Sequence, residues 1–503
     1  MKNFIKGIDK NIGENSKGFK NIRELFTTKQ VKYGGYAALM TVAVIIALLL
    51  VNLIAGQFSL QVDMTESRIF SLSPQSLQVL DSVDAPVRIF AFWRPGERMP
   101  LPHNRDFVDD VTAVVNLFTA RNSNITMEVI DPDRNPGFVM RFDRDRTGIS
   151  RGSVVVEGEN GFRLIPPEQM YDIVAQPQGG LEITGVAIER RITSALLFAG
   201  SGVTPIVYEI TGHGSTSLAD IGMGEEMERD NLALASINLL MMPIPDHAAA
   251  LVLNNPQMDL SPAEAERLLD FLGAGGRLLV LADYTIRELY NLNTVFASYG
   301  FRLDYGILNE ADPTFAVFDS RSTWPEVLAH DITRPLMGGR DNRLLLFEAM
   351  AISAIEPRRQ SIEITPLLRS SQAAFLRTDL DNTSADRLPE DISGPLTLAA
   401  AVADPAWLQN EDDPQARIVV IASGTLLPLA AGNFTGNRDL FFNSLAWLQD
   451  RPETITVRSN SLFRLPLRLD SLQMLIFGSL FIFITPVSFF TAGFITWLKR
   501  RHL

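Results

Sequence analysis

AAALVLNNPQMDLSPAEAERLLDFLGAGGRLLVLAD, residues 248–283, decides the fold. It opens on a short apolar run, 248–254, the mark of a strand buried on both faces. Ser261-Pro262-Ala263-Glu264 then reads as a helix start. Serine can accept an orphan backbone N–H, proline loses nothing at the first helical position, and the glutamate can bond back to the serine N–H. The helix places Ala265, Leu268, Leu269 and Leu272 on its buried face and stops at the glycine cluster 273–276. A second apolar run, 277–282, ends at Asp283. Strand, helix, strand is the unit of a parallel sheet, and its repetition is doubly wound α/β logic.

Upstream, residues 205–210 (PIVYEI) form another strand that runs into Thr211-Gly212-His213-Gly214-Ser215. A glycine-rich loop after a strand lets backbone N–H groups approach a ligand. It matches neither the Walker pattern nor G-x-G-x-x-G, and a tight turn at the mouth of the sheet is the other reading. Downstream, 417–422 (RIVVIA) is a strand and 437–448 a helix, while 285–414 blurs into short segments that read partly as loop decorating the sheet.

A similar unit precedes this one. Ser73-Pro74 starts a helix to about 81, 86–93 (PVRIFAFW) is a strand, 106–120 a helix, and 125–130 a strand that ends in Asp131-Pro132-Asp133. Carboxylates at the carboxyl end of a strand are ligand candidates, although Asp-Pro-Asp is also a turn sequence. A hairpin over 152–165 turns at Asn160-Gly161, and a helix near 187–199 ends at Gly200-Ser201-Gly202, a domain boundary.

Two uncharged stretches bracket the α/β part: 35–56 (from GYAALMTVAVIIALLL) and 471–498. Each is long enough to span a ~30 Å hydrocarbon core as a helix. Residues 1–33 are basic and 499–503 begin Lys-Arg-Arg-His, so the positive-inside rule puts both termini in the cytoplasm. The overall charge is -13, and with both ends basic the part between carries about -21, which argues against nucleic acid as a partner. The expected architecture is therefore α/β, with two Rossmann-like, doubly wound extracytoplasmic domains, 60–202 and 203–455, between an N-terminal and a C-terminal transmembrane helix. Residues 456–470 return to the membrane. The expected location is a bacterial inner membrane with the main body periplasmic. Small or polar residues in the spans, Gly35, Ala38 and Asn52 in the first and Gly478, Ser479, Pro486 and Gly493 in the second, suit close helix packing in an assembly.

Cysteine is absent, which removes disulfides, thiolate metal sites and cysteine nucleophiles. Gly200-Ser201-Gly202 lacks the spacing of a serine-hydrolase elbow, and the five histidines form no short metal motif. No catalytic residue, metal or cofactor is expected. Candidate ligand-binding residues are Asp131, Asp133, Gly212, His213, Gly214, Ser215 and Asp283.

The order of landmarks resembles the gliding-motility-associated ABC-transporter auxiliary component family. The resemblance lies in Asp63-Met64-Thr65 leading to Leu72-Ser73, Asp131-Pro132, Thr211-Gly212-His213-Gly214, the helix-Gly-Gly-strand run 268–281, His330-Asp331-Ile332-Thr333, and Asn437-Arg438-Asp439-Leu440-Phe441 before Trp447-Leu448. Ser215 and Gly424-Thr425 stand where that family commonly has acidic residues. The layout of the second domain also resembles the class I amidotransferase fold, but without the cysteine nucleophile that activity needs, so an amidotransferase-like, non-catalytic domain is expected. The family resemblance implies a non-enzymatic subunit beside a multispan permease and a cytoplasmic ATPase. A membrane-tethered receptor for a glycan or peptide, and an α/β hydrolase, are the competing expectations.

Overall fold

The computed structural model describes residues 39–48, 50, 71–102, 105–143, 148–175, 181–284, 288–337, 344–382, 384, 386–404, 415–430, 434–450, 460–461 and 478–501. The chain separates into two compact units, Met1–Met64 and Thr65–Leu503. In the first, residues 39–48 are helical.

The second unit begins with helix α1 (Pro74–Asp81), whose Ser73 cap accepts a hydrogen bond from the Ser76 N–H. Strand β1 (Val87–Phe92), helix α2 (Phe107–Arg121) and strand β2 (Ile125–Ile130) follow, with β1 and β2 parallel. The hairpin of β3 (Val154–Gly158) and β4 (Gly161–Ile165) then adds antiparallel to β1. This first sheet, in order β2-β1-β3-β4, is therefore mixed rather than doubly wound. A hairpin cannot extend a sheet in parallel, because parallel neighbours need a crossover. Helix α3 (Ile188–Ser201) packs Ile188, Ile192, Ala195 and Leu196 into the core of this sheet and ends at Gly202, which takes the left-handed conformation (φ +66°) that glycine permits.

From there run β5 (Ile206–Ile210), α4 (Met223–Arg229), β6 (Ala233–Ile237), β7 (Ala248–Asn254), α5 (Pro262–Gly273) and β8 (Arg277–Leu281). Next come α6 (Tyr290–Ser298), β9 (Phe301–Asp304), β10 (Ala351–Ala354), β11 (Glu363–Arg369), β12 (Thr397–Asp404), β13 (Ala416–Ile421) and α7 (Thr435–Leu448). The large sheet has the order β6-β5-β7-β8-β13-β12-β10-β9, with β11 also paired to β12. Its first five strands are parallel, and the rest are antiparallel. Within 285–414, where the sequence blurs, β9 to β12 extend the sheet itself.

Alternation within the parallel strands feeds two cores. Val252, Leu279, Leu281, Val419 and Ile421 face Leu440, Phe441 and Leu445 of α7, while Leu251, Leu253, Leu278, Val280 and Ile418 face Leu268, Leu272, Val295 and Phe296 of α5 and α6. Both faces are covered, as a parallel sheet requires. The capping box at α5 is complete, with Ser261 Oγ accepting from the Glu264 N–H and Glu264 Oε2 accepting from the Ser261 N–H.

Near the C-terminus, Leu480–Ile484 form a π turn that leads into α8 (Thr485–Arg501). Among the described residues no helix is long and apolar enough to cross a membrane. Much of both expected spans, including Gly35, Ala38 and Asn52, lies outside the described residues. Gly478 and Ser479 are helical just before the π turn, and Pro486 and Gly493 lie in α8.

Candidate functional site

Counted along the chain, the five parallel strands β5, β6, β7, β8 and β13 lie in the order 2-1-3-4-5. The direction of winding reverses between β5 and β7, and in such sheets the carboxyl ends of the strands beside this switch point are where ligands bind. The loop Thr211-Gly212-His213-Gly214-Ser215 leaves β5 there, and Asn254-Asn255 leaves β7 beside it.

The two exits are stitched together. The N–H groups of Gln257 and Met258 donate to the His213 carbonyl at 2.8 and 3.1 Å, and Asn254 Nδ2 donates to the Thr216 carbonyl at 2.8 Å. Gly212 and Gly214 take φ of +107° and +74°. A Cβ on Gly214 would stand 3.2 Å from the Gln257 side chain, a tight contact, and the positive φ is what makes the turn favour glycine.

His213 is buried, and its Nε2 lies 3.3 Å from Glu264 Oε1. The helix start that stood out in the sequence thus also anchors the switch-point histidine. Burial pushes the Glu264 carboxyl up, but the Ser261 N–H, the Ser261 hydroxyl and His213 together outweigh it and hold it below the usual range. His213 Nδ1, Ser215 Oγ and Asn254 Oδ1 are buried polar atoms without a hydrogen-bond partner. Just below, Glu209 accepts from the Ser217 hydroxyl and the Leu218 N–H, and burial pushes its carboxyl up despite both bonds.

Asp283 stands at the end of β8. Burial, with Glu348 adding to it against the Tyr284 N–H bond, pushes its carboxyl up to about 6. Asn255 and Glu348, both at this edge, hold positive φ of 45° and 49°, unusual for residues with side chains. Asn255 crosses the end of β8, where its N–H donates to the Leu281 carbonyl. A Cβ on Gly424 would fall 2.5 Å from the Asn255 side-chain amide, so a larger residue at position 424 requires that amide to turn aside.

Asp131 and Asp133 are elsewhere, at the carboxyl end of the first sheet. Arg94 and Arg151 both bond Asp133 and hold its carboxyl below the usual range, and Arg134 Nε lies 3.5 Å from Asp131. Asp131 also accepts from the Asp133 N–H, closing the turn. The candidates therefore divide into two places, with Gly212 to Ser215 and Asp283 on one sheet edge and the Asp-Pro-Asp carboxylates on the other sheet. Glu264, Asn254, Asn255 and Glu348 join the first place only through the fold. Among the described residues no group of three His, Cys, Asp or Glu side chains could hold a metal ion.

Residues 66–167 match the "Domain of unknown function (DUF7088)" family. No curated protein matches the chain. Among solved structures, "mmIFT52 N-terminal domain" aligns with 15% identity over 48% of this chain and 96% of its own, at a TM-score of 0.33. Residues 205–444, from the start of β5 into α7, match the family of auxiliary proteins described as "ABC-type uncharacterized transport system". By that match the doubly wound domain is similar to an ABC-type transport-system auxiliary family.

Proposed function

We propose that the chain is the membrane-anchored, non-enzymatic auxiliary subunit of a gliding-motility-type ABC transporter, seated beside a multispan permease and a cytoplasmic ATPase. The observation that carries this reading is the family match on the doubly wound domain. The local chemistry agrees with it. A general base must reach the proton that it removes, whereas His213 is 3% exposed and its Nε2 is engaged by a carboxylate that also caps a helix. The switch-point loop then serves recognition and loop geometry.

The two uncharged stretches act as anchors, with both termini cytoplasmic and the α/β body extracytoplasmic. Charge supports this placement, because all eight lysines lie within residues 2–32 or at 499, outside the two stretches. Purification of the tagged full chain in mild detergent tests the assembly. The permease and the ATPase should come with it in fixed ratio, and a chain that elutes alone under conditions that keep those two together refutes the reading.

A further inference from the structure

A second site lies away from the switch point. The strand Ile307–Asn309 pairs with the strand Phe375–Arg377, and beside them opens a cavity of about 100 Å³. One water needs roughly 10–15 Å³ on this measure, so the space fits a small organic group. Asn309, Ser320, Arg321, Arg377, Asn382 and Ser384 supply its polar wall, and Ile307 and Leu380 its apolar wall.

Charge balance decides what it takes. Arg377, 3% exposed, points Nε at both oxygens of Asp391 (3.0 and 3.1 Å) and gives its other N–H groups to the carbonyls of Asn382, Ser384 and Asp386. Arg321 Nη1 lies 3.1 Å from Glu348 Oε1. Each arginine already has its carboxylate, so an added anion meets little net positive charge, and a cation meets the nearby guanidinium groups. What remains is a neutral wall that mixes donors and acceptors, such as Ser320 Oγ, which donates to Asn309 Oδ1 at 3.2 Å. A hydroxyl both donates and accepts, so a polyhydroxyl compound matches such a wall.

The turn that carries Ser320 and Arg321 adds an independent sign. It exposes two aromatic side chains, Phe318 (75%) and Trp324 (41%), on the turn that borders the cavity rather than among the residues lining it. The turn is pinned, with the Trp324 N–H donating to the Phe315 carbonyl and the Phe318 N–H to Ser322 Oγ. Aromatic faces carry negative charge density that attracts polarised C–H groups, the kind a sugar ring offers on its apolar side.

We propose that this recess and its aromatic turn form a saccharide site for one neutral sugar residue, free or terminal on a glycan. It goes beyond the transporter reading and does not depend on it. The test titrates the detergent-solubilised full chain with methyl α-glucoside, methyl α-galactoside, methyl α-mannoside and N-acetylglucosamine, with sodium phosphate and methylammonium chloride as comparisons. At least one sugar should raise the thermal midpoint saturably, and neither ion should. Asn382→Ala and Phe318→Ala should each weaken that sugar by about tenfold or more, roughly 1.4 kcal/mol. Phe318 is largely exposed, so its variant keeps the test open if Asn382→Ala does not fold. No saturable response to any of the four sugars, a response to phosphate instead, or unchanged affinity in the folded variants overturns the proposal. Co-purification with the permease and ATPase should persist in both variants, and its loss from the unmutated chain would count against the transporter reading alone.

Discussion

Glu264 joins two elements through its two oxygens, Oε1 lying 3.3 Å from His213 Nε2 and Oε2 accepting from the Ser261 N–H at 2.8 Å. Removing the carboxylate undoes a helix cap and strands a buried imidazole. Glu264→Ala should therefore cost about 2–4 kcal/mol, combining a lost cap with an unsatisfied buried polar group. Glu264→Gln keeps one oxygen to accept from the Ser261 N–H and turns an NH2 toward His213 Nε2, where it can donate to the neutral imidazole, and should lose less than half of that. Thermal midpoints of the two variants, read side by side, check the order.

The buried junction between α3 and α4 makes a sharper case. Arg191 Nη1 lies 2.8 Å from Asp230 Oδ1, and Arg190 Nε lies 3.6 Å from the same oxygen. Burial, and then the neighbouring Arg190, pull the Arg191 guanidinium down to about 10, still charged at neutral pH. Asp230→Ala leaves buried cations short of a partner and should destabilise by about 3–5 kcal/mol. Asp230→Leu combined with Arg191→Met should recover much of this, as measured by urea unfolding.

Asp283 gives a pH dependence with a defined sign. Its carboxyl rises from an ordinary 3.8 to about 6 on folding, so the folded chain holds the proton more tightly than the unfolded one. That contribution is complete below about pH 4 and disappears as pH climbs through 6. Asp283→Asn should therefore stabilise the chain at pH 7.5 by up to about 3 kcal/mol, since each tenfold gain in proton affinity is worth about 1.4 kcal/mol. The gain should vanish at pH 4. A gain that is the same at both pH values would contradict the account.

Topology can be read directly, because the chain has no cysteine. In intact cells with a permeable outer membrane, an impermeant maleimide should label Ala297→Cys, an exposed position on α6, and spare Ser16→Cys. The reverse pattern would place the α/β body in the cytoplasm.

Local signals carry much of the architecture. Ser261-Pro262-Ala263-Glu264 marks the start of α5, and the Asn160-Gly161 corner marks the β3–β4 hairpin, because caps and tight turns depend on neighbours in the chain. Strand β6 (ALASI) escapes such a reading, since an edge strand with half-buried residues shows no alternation. Strand β12 (TLAAAVAD) is also hidden, because alanine fits both faces of a strand packed between two covered layers and has little β preference of its own. The His213–Glu264 contact joins residues 51 positions apart, and the cavity beside Arg377 gathers residues from 307 to 384, so neither has a signature at short range.

The seam between β8 and β13 pairs Leu279 with Val419. The two strands are neighbours in the middle of the sheet, yet the chain makes one about 140 residues before the other. Loop closure over such a distance is slow compared with local pairing. During synthesis, β8 must wait with an apolar, unpaired edge until Ala416–Ile421 arrives, and such an edge is a template for pairing with other chains. The growing protein thus passes through a period in which it needs shielding by a chaperone or rapid delivery. Truncations that end between α6 and β13 should aggregate, whereas chains that extend through α7 should not.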